Sequence, residues 1–403
     1  MINNIEKNLK DIFEAIDDIA LYNSNKVLNA FKKNRVSTQH FVPTTGYGYD
    51  DLGRDTLCKL IADIFSTEAA IFSPLISSGT HALYIALSGL LRPKDAFLCI
   101  GKPYDTLNDV IFGKNNNSLK DFEINCEIIE TDNNKFDFEK IKQELNINKP
   151  KLVLITRSSG YSWREALKLS EISQLISYIR DNSSKDVIIL VDNCYGEFVS
   201  KYEPTEVGAD VIVGSFIKNI GGGIAPTGAY IAGKEKLIEN IANRFIAPSI
   251  GMEIGSYNAS YVPFFQGLFL APTVVKNALK SSIIFGYAFE QLGYETLPKI
   301  NLNNFPSDII RAIKFESKEK LIKFVQEIQK NSPIDSFVTP EPWAMPGYLH
   351  EVIMASGSFT QGSSIELSAD APIKPPYIAY LQGSLTYEHA IIALNSILEK
   401  FND

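Results

Sequence analysis

The chain has few of the residues from which covalent staples and metal centres are built. Only four of its 403 residues are cysteine and only four are histidine. Cys58, Cys99, Cys126 and Cys194 lie 41, 27 and 68 residues apart. There is thus no CxxC pair, and a chain this long needs no disulfide framework. His40, His81, His350 and His389 are equally scattered. No HExxH, Cys/His cluster or EF-hand loop occurs, so no metal is expected. Positive charge is short as well: 39 Lys+Arg against 47 Asp+Glu leave a net charge of −8. That excludes broad nucleic-acid binding, which needs a basic footprint, but allows a local cationic pocket. The longest apolar stretch, residues 262–275, is interrupted by Gln266 and holds two prolines, which is too short and broken for a bilayer span. The first twenty residues alternate charge with apolar side chains and lack the apolar core of a secretory signal. The expectation is a cytoplasmic protein with neither membrane nor nucleic acid among its partners.

What is present is core-forming material. An apolar share of 45% with 21% charged residues can bury a large core, and the length suits two or three domains. Ile5, Leu9, Ile12, Phe13, Ile16 and Ile19 recur at helical spacing. A second short helix is expected over 26–33, then a Thr/Gly/Tyr-rich loop to Arg54, then a helix over 55–65. Apolar runs predict strands at 96–100, 127–130, 152–155, 187–191, 211–213 and 228–231. Helical patterns fall between most of them, notably at 79–90, 169–180 and 234–244. This alternation predicts an α/β fold with a mostly parallel sheet covered on both faces. Ligands in such sheets sit beyond the carboxyl ends of the strands. After a long helix over 266–292 the rhythm changes. A loop at 293–306, a strand at 309–315, a helix at 317–329, three further strands and a last helix at 387–400 make a small α+β unit. The expected division is an N-terminal helical segment 1–45, a large domain 46–295 and a small domain 296–403.

Three motifs carry chemistry. In Ile76-Ser-Ser-Gly-Thr-His81, polar residues and a glycine open an apolar helix. The free N–H groups there, with the hydroxyls of Ser78 and Thr80, suit a phosphate; an ordinary helix cap reads the same way. Asp192 ends a buried strand, either as a functional acid or as the start of an Asx turn. Ser215 and Lys218 follow the next strand and precede Gly221, Gly222 and Gly223. Desolvation there would lower the lysine's pKa and make it nucleophilic, whereas a surface lysine would snorkel to water. The glycines would let backbone approach a ligand. Gly228 to Lys234 matches GxxxxGK, but Glu235 stands where a P-loop has Ser or Thr, so that motif is rejected. Phosphate turn, strand-end acid and strand-end lysine, in that order, form the layout of a pyridoxal phosphate (PLP) enzyme.

The chain also resembles a family. The stretches Gly46-Tyr-Gly-Tyr-Asp-Asp-Leu-Gly-Arg-Asp55, Ser77-Ser-Gly-Thr-His81, Lys218-Asn-Ile-Gly-Gly-Gly-Ile-Ala-Pro-Thr-Gly228, Gln266-Gly-Leu-Phe-Leu-Ala-Pro272 and Phe359-Thr-Gln-Gly-Ser-Ser-Ile-Glu-Leu-Ser-Ala-Asp370 are similar to the aluminium-resistance proteins related to methionine gamma-lyase. These are fold-type-I PLP-dependent enzymes. The resemblance implies a large PLP-binding domain with a small C-terminal domain, and a carbon–sulfur lyase acting on a sulfur-containing amino acid. An aldolase, an aminotransferase or a non-catalytic PLP-binding stress protein are the alternatives on the same scaffold. Lys218 would carry the cofactor, Asp192 would meet its ring nitrogen and Tyr104 would stack on the ring. Ser78, Gly79, Thr80 and Ser215 would hold phosphate, with Tyr49 and Arg54 lent by a neighbouring subunit of a homodimer or homotetramer. Tyr104 or Tyr47 could move a proton. The related enzymes bind the substrate carboxylate with a C-terminal arginine, yet no arginine follows Arg311. Lys374, Arg157 and Arg164 are the candidates for that task. The 256–269 stretch and the N-terminal helix are candidate subunit contacts.

Overall fold

The computed structural model describes residues 2–401 apart from 114, 115, 132–134, 185, 302 and 303. Part of the loop expected at 293–306 lies outside the described residues. Among the described residues, the first sheet is built from short apolar strands: β1 (Ala69–Ser73), β2 (Ala96–Ile100), β3 (Asn125–Ile129), β4 (Leu152–Thr156), β5 (Ile188–Asp192), β6 (Val211–Ser215) and β7 (Ala229–Gly233). Their order is β1-β7-β6-β5-β4-β2-β3, with β7 antiparallel to both neighbours and the remaining pairs parallel.

Successive side chains of a strand point to opposite faces, and that alternation divides the core. Val153, Ile155, Ile189, Val191 and Ile212 join one cluster, while Leu152, Leu154, Leu190, Val211 and Val213 join the other. The connecting helices cover both faces. They are α1 (Ile2–Asn8), α2 (Lys10–Lys33), α3 (Leu52–Ile64), α4 (Gly79–Leu90), α5 (Asp105–Phe112), α6 (Phe138–Asn148), α7 (Leu169–Asn182), α8 (Glu235–Phe245) and α9 (Val262–Gln291). α9 is long and apolar enough to cross a membrane, but its apolar window is largely buried inside the protein.

The second sheet is antiparallel, in the order β10 (Val352–Ala355), β11 (Ser368–Pro372), β12 (Ile378–Gln382), β9 (Ile310–Lys314), β8 (Glu295–Leu297). One face packs on α9, α10 (Lys318–Lys330) and α11 (Tyr387–Phe401) through residues such as Ile313, Phe324, Ala369 and Leu394. The other presents Ile310, Ala312, Ile378 and Tyr380 to Tyr161, Trp163 and Tyr195 of the large sheet's loops.

Three local expectations are corrected. The two N-terminal helices at 5–19 and 26–33 are largely one: α2 runs unbroken for 24 residues, with Ile12, Ile16, Ala20, Asn23, Val27 and Ala30 buried along one stripe. Strand β1 is an addition to the expected strands: its Ala-Ala-Ile-Phe-Ser run holds only two large apolar residues. The third correction concerns the glycines after Lys218. Gly222 admits α9, not a ligand, since a Cβ there would collide with the Gly267 carbonyl, and the space at Gly223 is taken by Leu385. A Cβ on Gly267 of α9 would collide with the Gly221 carbonyl, and one on Gly221 with the Phe216 carbonyl.

Gly221 has no positive φ, so its substitution carries a steric cost alone. Gly221→Ala is expected to destabilise the fold by about 1–3 kcal/mol. A thermal melt reads this directly, and an unchanged melting temperature would show that Gly221 does not pack against the Phe216 carbonyl this way.

Candidate active site

The parallel register brings the functional ends together. Thr156 pairs with Asp192, and Asp192 with Val213, so β4, β5 and β6 end at one rim. β5 is buried throughout, and its apolar residues Ile188 to Val191 hold Asp192 at the rim with only 4% of its surface exposed. Burial raises the Asp192 carboxyl above its usual range, while Lys218 and the Cys194 N–H, which donates to Oδ1 at 3.1 Å, work against that rise.

Lys218 follows β6. Its Nζ lies 3.9 Å from the ring centroid of Tyr195. Burial alone would lower its pKa, as the sequence suggested. Cys194, Tyr195, Asp192 and Tyr104 outweigh burial and hold the amine well above the ordinary lysine range. Burial keeps the Cys194 thiol and the Tyr195 and Tyr104 phenols protonated, so the formal counter-charge that holds Lys218 as an ammonium in the free chain is Asp192.

The amino end of α4 faces the same point. Ser78 caps it by accepting from the His81 N–H at 3.1 Å. A Cβ on Gly79 would sit 3.0 Å from Cys194 Sγ and 3.8 Å from Ser215 Cβ, so only glycine lets the helix come this close. Ser215 Oγ is buried there without a hydrogen-bond partner. Thr80 Oγ1 lies 3.3 Å from both Tyr104 Oη and Thr106 Oγ1. A helix amino end, spare hydroxyls and an orphaned Ser215 fit a phosphate, and Asp192 beside them fits a protonated ring nitrogen. The residues present thus match PLP.

A cleft of about 140 Å³ opens beside Tyr104. Arg164 and Lys374 line it, with Tyr161, Tyr348 and Lys102. Arg157 does not. Its guanidinium donates to Asn193 Oδ1 at 2.8 Å and to the Gly196 carbonyl at 2.9 Å, and it pairs with Glu203 at 3.6 Å, all in the interior. Arg157 braces the turn after Asp192 and is withdrawn as a substrate ligand. Arg311 is likewise internal, donating to the Ser282 carbonyl at 2.8 Å. Tyr47 and Tyr49 stand exposed (67% and 63%) with their rings 5.6 Å apart. Arg54 is buried, donating to the Gly48 and Gly255 carbonyls at 3.1 and 3.2 Å and to Asp55 at 2.9 Å. Sequence reasoning missed Tyr195, Tyr161, Tyr348 and Asp370. Tyr195 lies three residues after Asp192, Tyr161 lies between Arg157 and Arg164, and Asp370 ends one of the family-like stretches, whereas Tyr348 had no signal.

Beneath Lys218 lies Glu197. It is fully buried, Oε1 accepts from Tyr230 Oη at 3.1 Å, and Oε2 has no partner. Burial, reinforced by Glu203, pushes its pKa up to about 8. The folded chain then binds a proton more tightly than the unfolded one, so stability falls as pH rises from about 4.5 to about 8. Glu197→Gln is expected to flatten that part of the curve, read as melting temperature between pH 5 and 9. A variant that keeps the slope would place its origin elsewhere.

Comparison with known proteins agrees with this geometry. A family model for methionine gamma-lyase matches residues 1–402. A carbon–sulfur lyase involved in aluminium resistance from Clostridium novyi is 47% identical, with a TM-score of 0.93 over 99% of this chain and 94% of the other. A Listeria monocytogenes protein, whose name proposes a cystathionine beta-lyase involved in aluminium resistance, is 44% identical, with a TM-score of 0.95 over 99% and 98%. The pyridoxal-5'-phosphate dependent protein YhfS of Escherichia coli shares the fold at 16% identity, with a TM-score of 0.64 over 96% and 97%. With a matching site and a match along nearly its whole length, the chain belongs to the methionine gamma-lyase family.

Proposed function

We propose that this protein is a PLP-dependent carbon–sulfur lyase, releasing a thiol, ammonia and a 2-oxo acid from a sulfur-containing amino acid. One observation carries the reading: the α4 amino end, the unpartnered Ser215 hydroxyl, Asp192 and Lys218 converge on a single rim. When bound, PLP supplies an electron sink that makes the substrate Cα–H acidic and lets a sulfur substituent depart. The backbone of Gly79 and the hydroxyls of Ser78, Thr80 and Ser215 hold its phosphate. Asp192 keeps the ring nitrogen protonated, and Tyr104 borders the ring. Asp192 cannot neutralise that nitrogen and Lys218 together. A carboxylate engaged with that nitrogen would oppose the effect of burial at Lys218 less, and burial disfavours the charged amine, which suits Nζ to take the Cα proton. The Tyr104 phenol, kept protonated by burial and by Asp192, can donate to the leaving thiolate. Lys374 offers positive charge to the substrate carboxylate without an arginine's bidentate fork, and Arg164 adds its charge from the cleft wall while its guanidinium donates to the Thr156, Ser158 and Glu165 carbonyls.

We further propose a homodimer or homotetramer with shared sites, in which Tyr49 reaches a neighbour's phosphate site and Tyr47 its substrate, while the buried Arg54 holds their loop in place through the Gly48 and Gly255 carbonyls. Their loop carries exposed Val42 and Leu52 and lies against the 255–261 segment through Gly255 and Tyr261. The reading places the enzyme in the cytoplasm, where its four free cysteines are at home.

Borohydride reduction of the purified protein is expected to remove a visible absorbance band and leave a pyridoxyl mass on the Lys218 peptide. Lys218→Ala should lose that band and at least about 10³-fold in turnover; normal turnover would sink the assignment. Product analysis decides the reaction: thiol with ammonia supports the lyase, whereas an aldehyde with glycine, or a new amino acid, refutes it. For the shared site, mixed Lys218→Ala and Tyr49→Ala chains are expected to recover activity that neither has alone.

A further inference from the structure

Asp370 and Tyr161 have no part in the chemistry above, yet they meet at the site. Alternation along β11 sends Ala369 and Ala371 into the core and turns Asp370 to the opposite face, beside Tyr380 of β12. Its Oδ2 accepts from Tyr161 Oη at 3.0 Å and from Gln382 Nε2 at 2.9 Å. The Tyr161 and Tyr348 rings are 6.1 Å apart and their hydroxyls are hydrogen-bonded. Both tyrosines line the cleft that opens beside Tyr104. A carboxyl and two phenols thus form one chain of hydrogen bonds from the second sheet to the cleft. Burial favours the neutral form of Asp370, whereas Tyr161, Gln382 and Lys218 favour its carboxylate. The phenols of Tyr195 and Tyr348 also face it. Of these neighbours only Lys218 changes charge in the reaction. Its Nζ must be a neutral amine to take the Cα proton, and it is an ammonium once it has done so.

We propose that Tyr161 is the catalytic acid for the leaving sulfur and that Asp370 is the proton store behind it. While Lys218 is neutral, Asp370 holds a proton on Oδ2 and donates it to Tyr161 Oη, which turns the Tyr161 proton towards the cleft. When Nζ takes the Cα proton, the new positive charge makes Asp370 a stronger acid. The C–S bond breaks with its electron pair on sulfur, the Tyr161 proton passes to sulfur, and the Asp370 proton passes to Tyr161. One proton has then moved from Cα to Nζ and another from Asp370 to the thiol, and the new carboxylate faces the new ammonium. Tyr104 is the weaker donor for this step, because no acid stands behind it. Its Oη lies 3.3 Å from the Thr80 hydroxyl, and Asp192 disfavours the phenolate that it would become. Tyr161 never has to become a phenolate, since Asp370 replaces its proton. Tyr348, only partly buried, links the store to water and lets it refill.

This inference rests on the lyase reading, and the outcomes keep the two apart. Chloride leaves without a proton, whereas an alkyl thiolate needs one. Turnover by the holoenzyme is therefore compared for S-ethylcysteine and β-chloroalanine, or for their homologues S-ethylhomocysteine and 2-amino-4-chlorobutanoate. Tyr161→Phe and Asp370→Asn are each expected to lower kcat/KM for the S-ethyl compound by about 10²-fold to 10³-fold and to leave the chloro compound within about twofold. Equal losses on both compounds would mark a merely structural role and overturn the proposal. A selective loss in Tyr104→Phe with none in Tyr161→Phe would overturn it too. With the unaltered enzyme, a larger solvent deuterium isotope effect is expected for the S-ethyl compound. Equal effects overturn the proposal, and that arm needs no variant to fold. A last arm reads the store without turnover or cofactor. The infrared difference between Lys218→Met and Lys218→Met with Asp370→Asn, at neutral pH, is expected to show a protonated carboxyl, and a carboxylate there overturns the proposal. If no sulfur-containing amino acid yields a thiol, the lyase reading fails and this assignment with it. Thiol release without the leaving-group selectivity refutes this assignment alone.

Discussion

A carboxylate taken out of water needs a positive partner, and the site is organised around that need at Asp192. The residue ends a strand buried along its whole length, and Lys218, after the neighbouring strand, stands opposite. The pair explains why the lysine is an ammonium in the free chain although it is buried. The approach of α4 to Cys194 and Ser215, possible because Gly79 lacks a Cβ, sets a helix amino end beside the same carboxylate. Anion cradle and acid thus sit at fixed positions on rigid elements.

The second sheet supplies the opposite wall. One face is spent on α9, α10 and α11, and the other meets the loops that carry Tyr161 and Tyr195. A sheet packed on helices with one side only has a second side free for the site. There it places an aromatic surface and one carboxylate, Asp370. Two buried arginines serve the scaffold. Arg157 braces the turn after Asp192, and Arg311 ties β9 to α9. Each has its charge answered inside the protein, so neither is available to a substrate. Arg164, on the cleft wall, also donates to the Thr156, Ser158 and Glu165 carbonyls.

Much of this was legible in the residues. Continuous apolar runs at β2, β4, β5 and β6 between helical periods specify a parallel α/β sheet, because a strand buried on both faces must be apolar on both. The strand-end positions of Asp192 and Ser215, and the lysine that follows, came with those runs. Ser78, Gly79 and Thr80 were readable from a polar turn before an apolar helix. These features are local, and local patterns follow from backbone geometry and burial.

Whatever depended on distant neighbours was not legible. The direction of the Lys218 pKa shift turned on groups from three elements. The glycines after it looked like room for a ligand, but their space is taken by the Phe216 carbonyl, by α9 and by Leu385, the last two far along the chain. Arg157 looked available until the turn at 193–196 closed over it. Asp370, Tyr161 and Tyr348 are separated by up to 209 residues and carry no shared motif. The sequence by itself determined the layered fold and the positions of lysine, acid and phosphate turn, since each is set by periodicity within one element. Only the tertiary structure decided which charges face each other, because burial and counter-charge are properties of the space between elements.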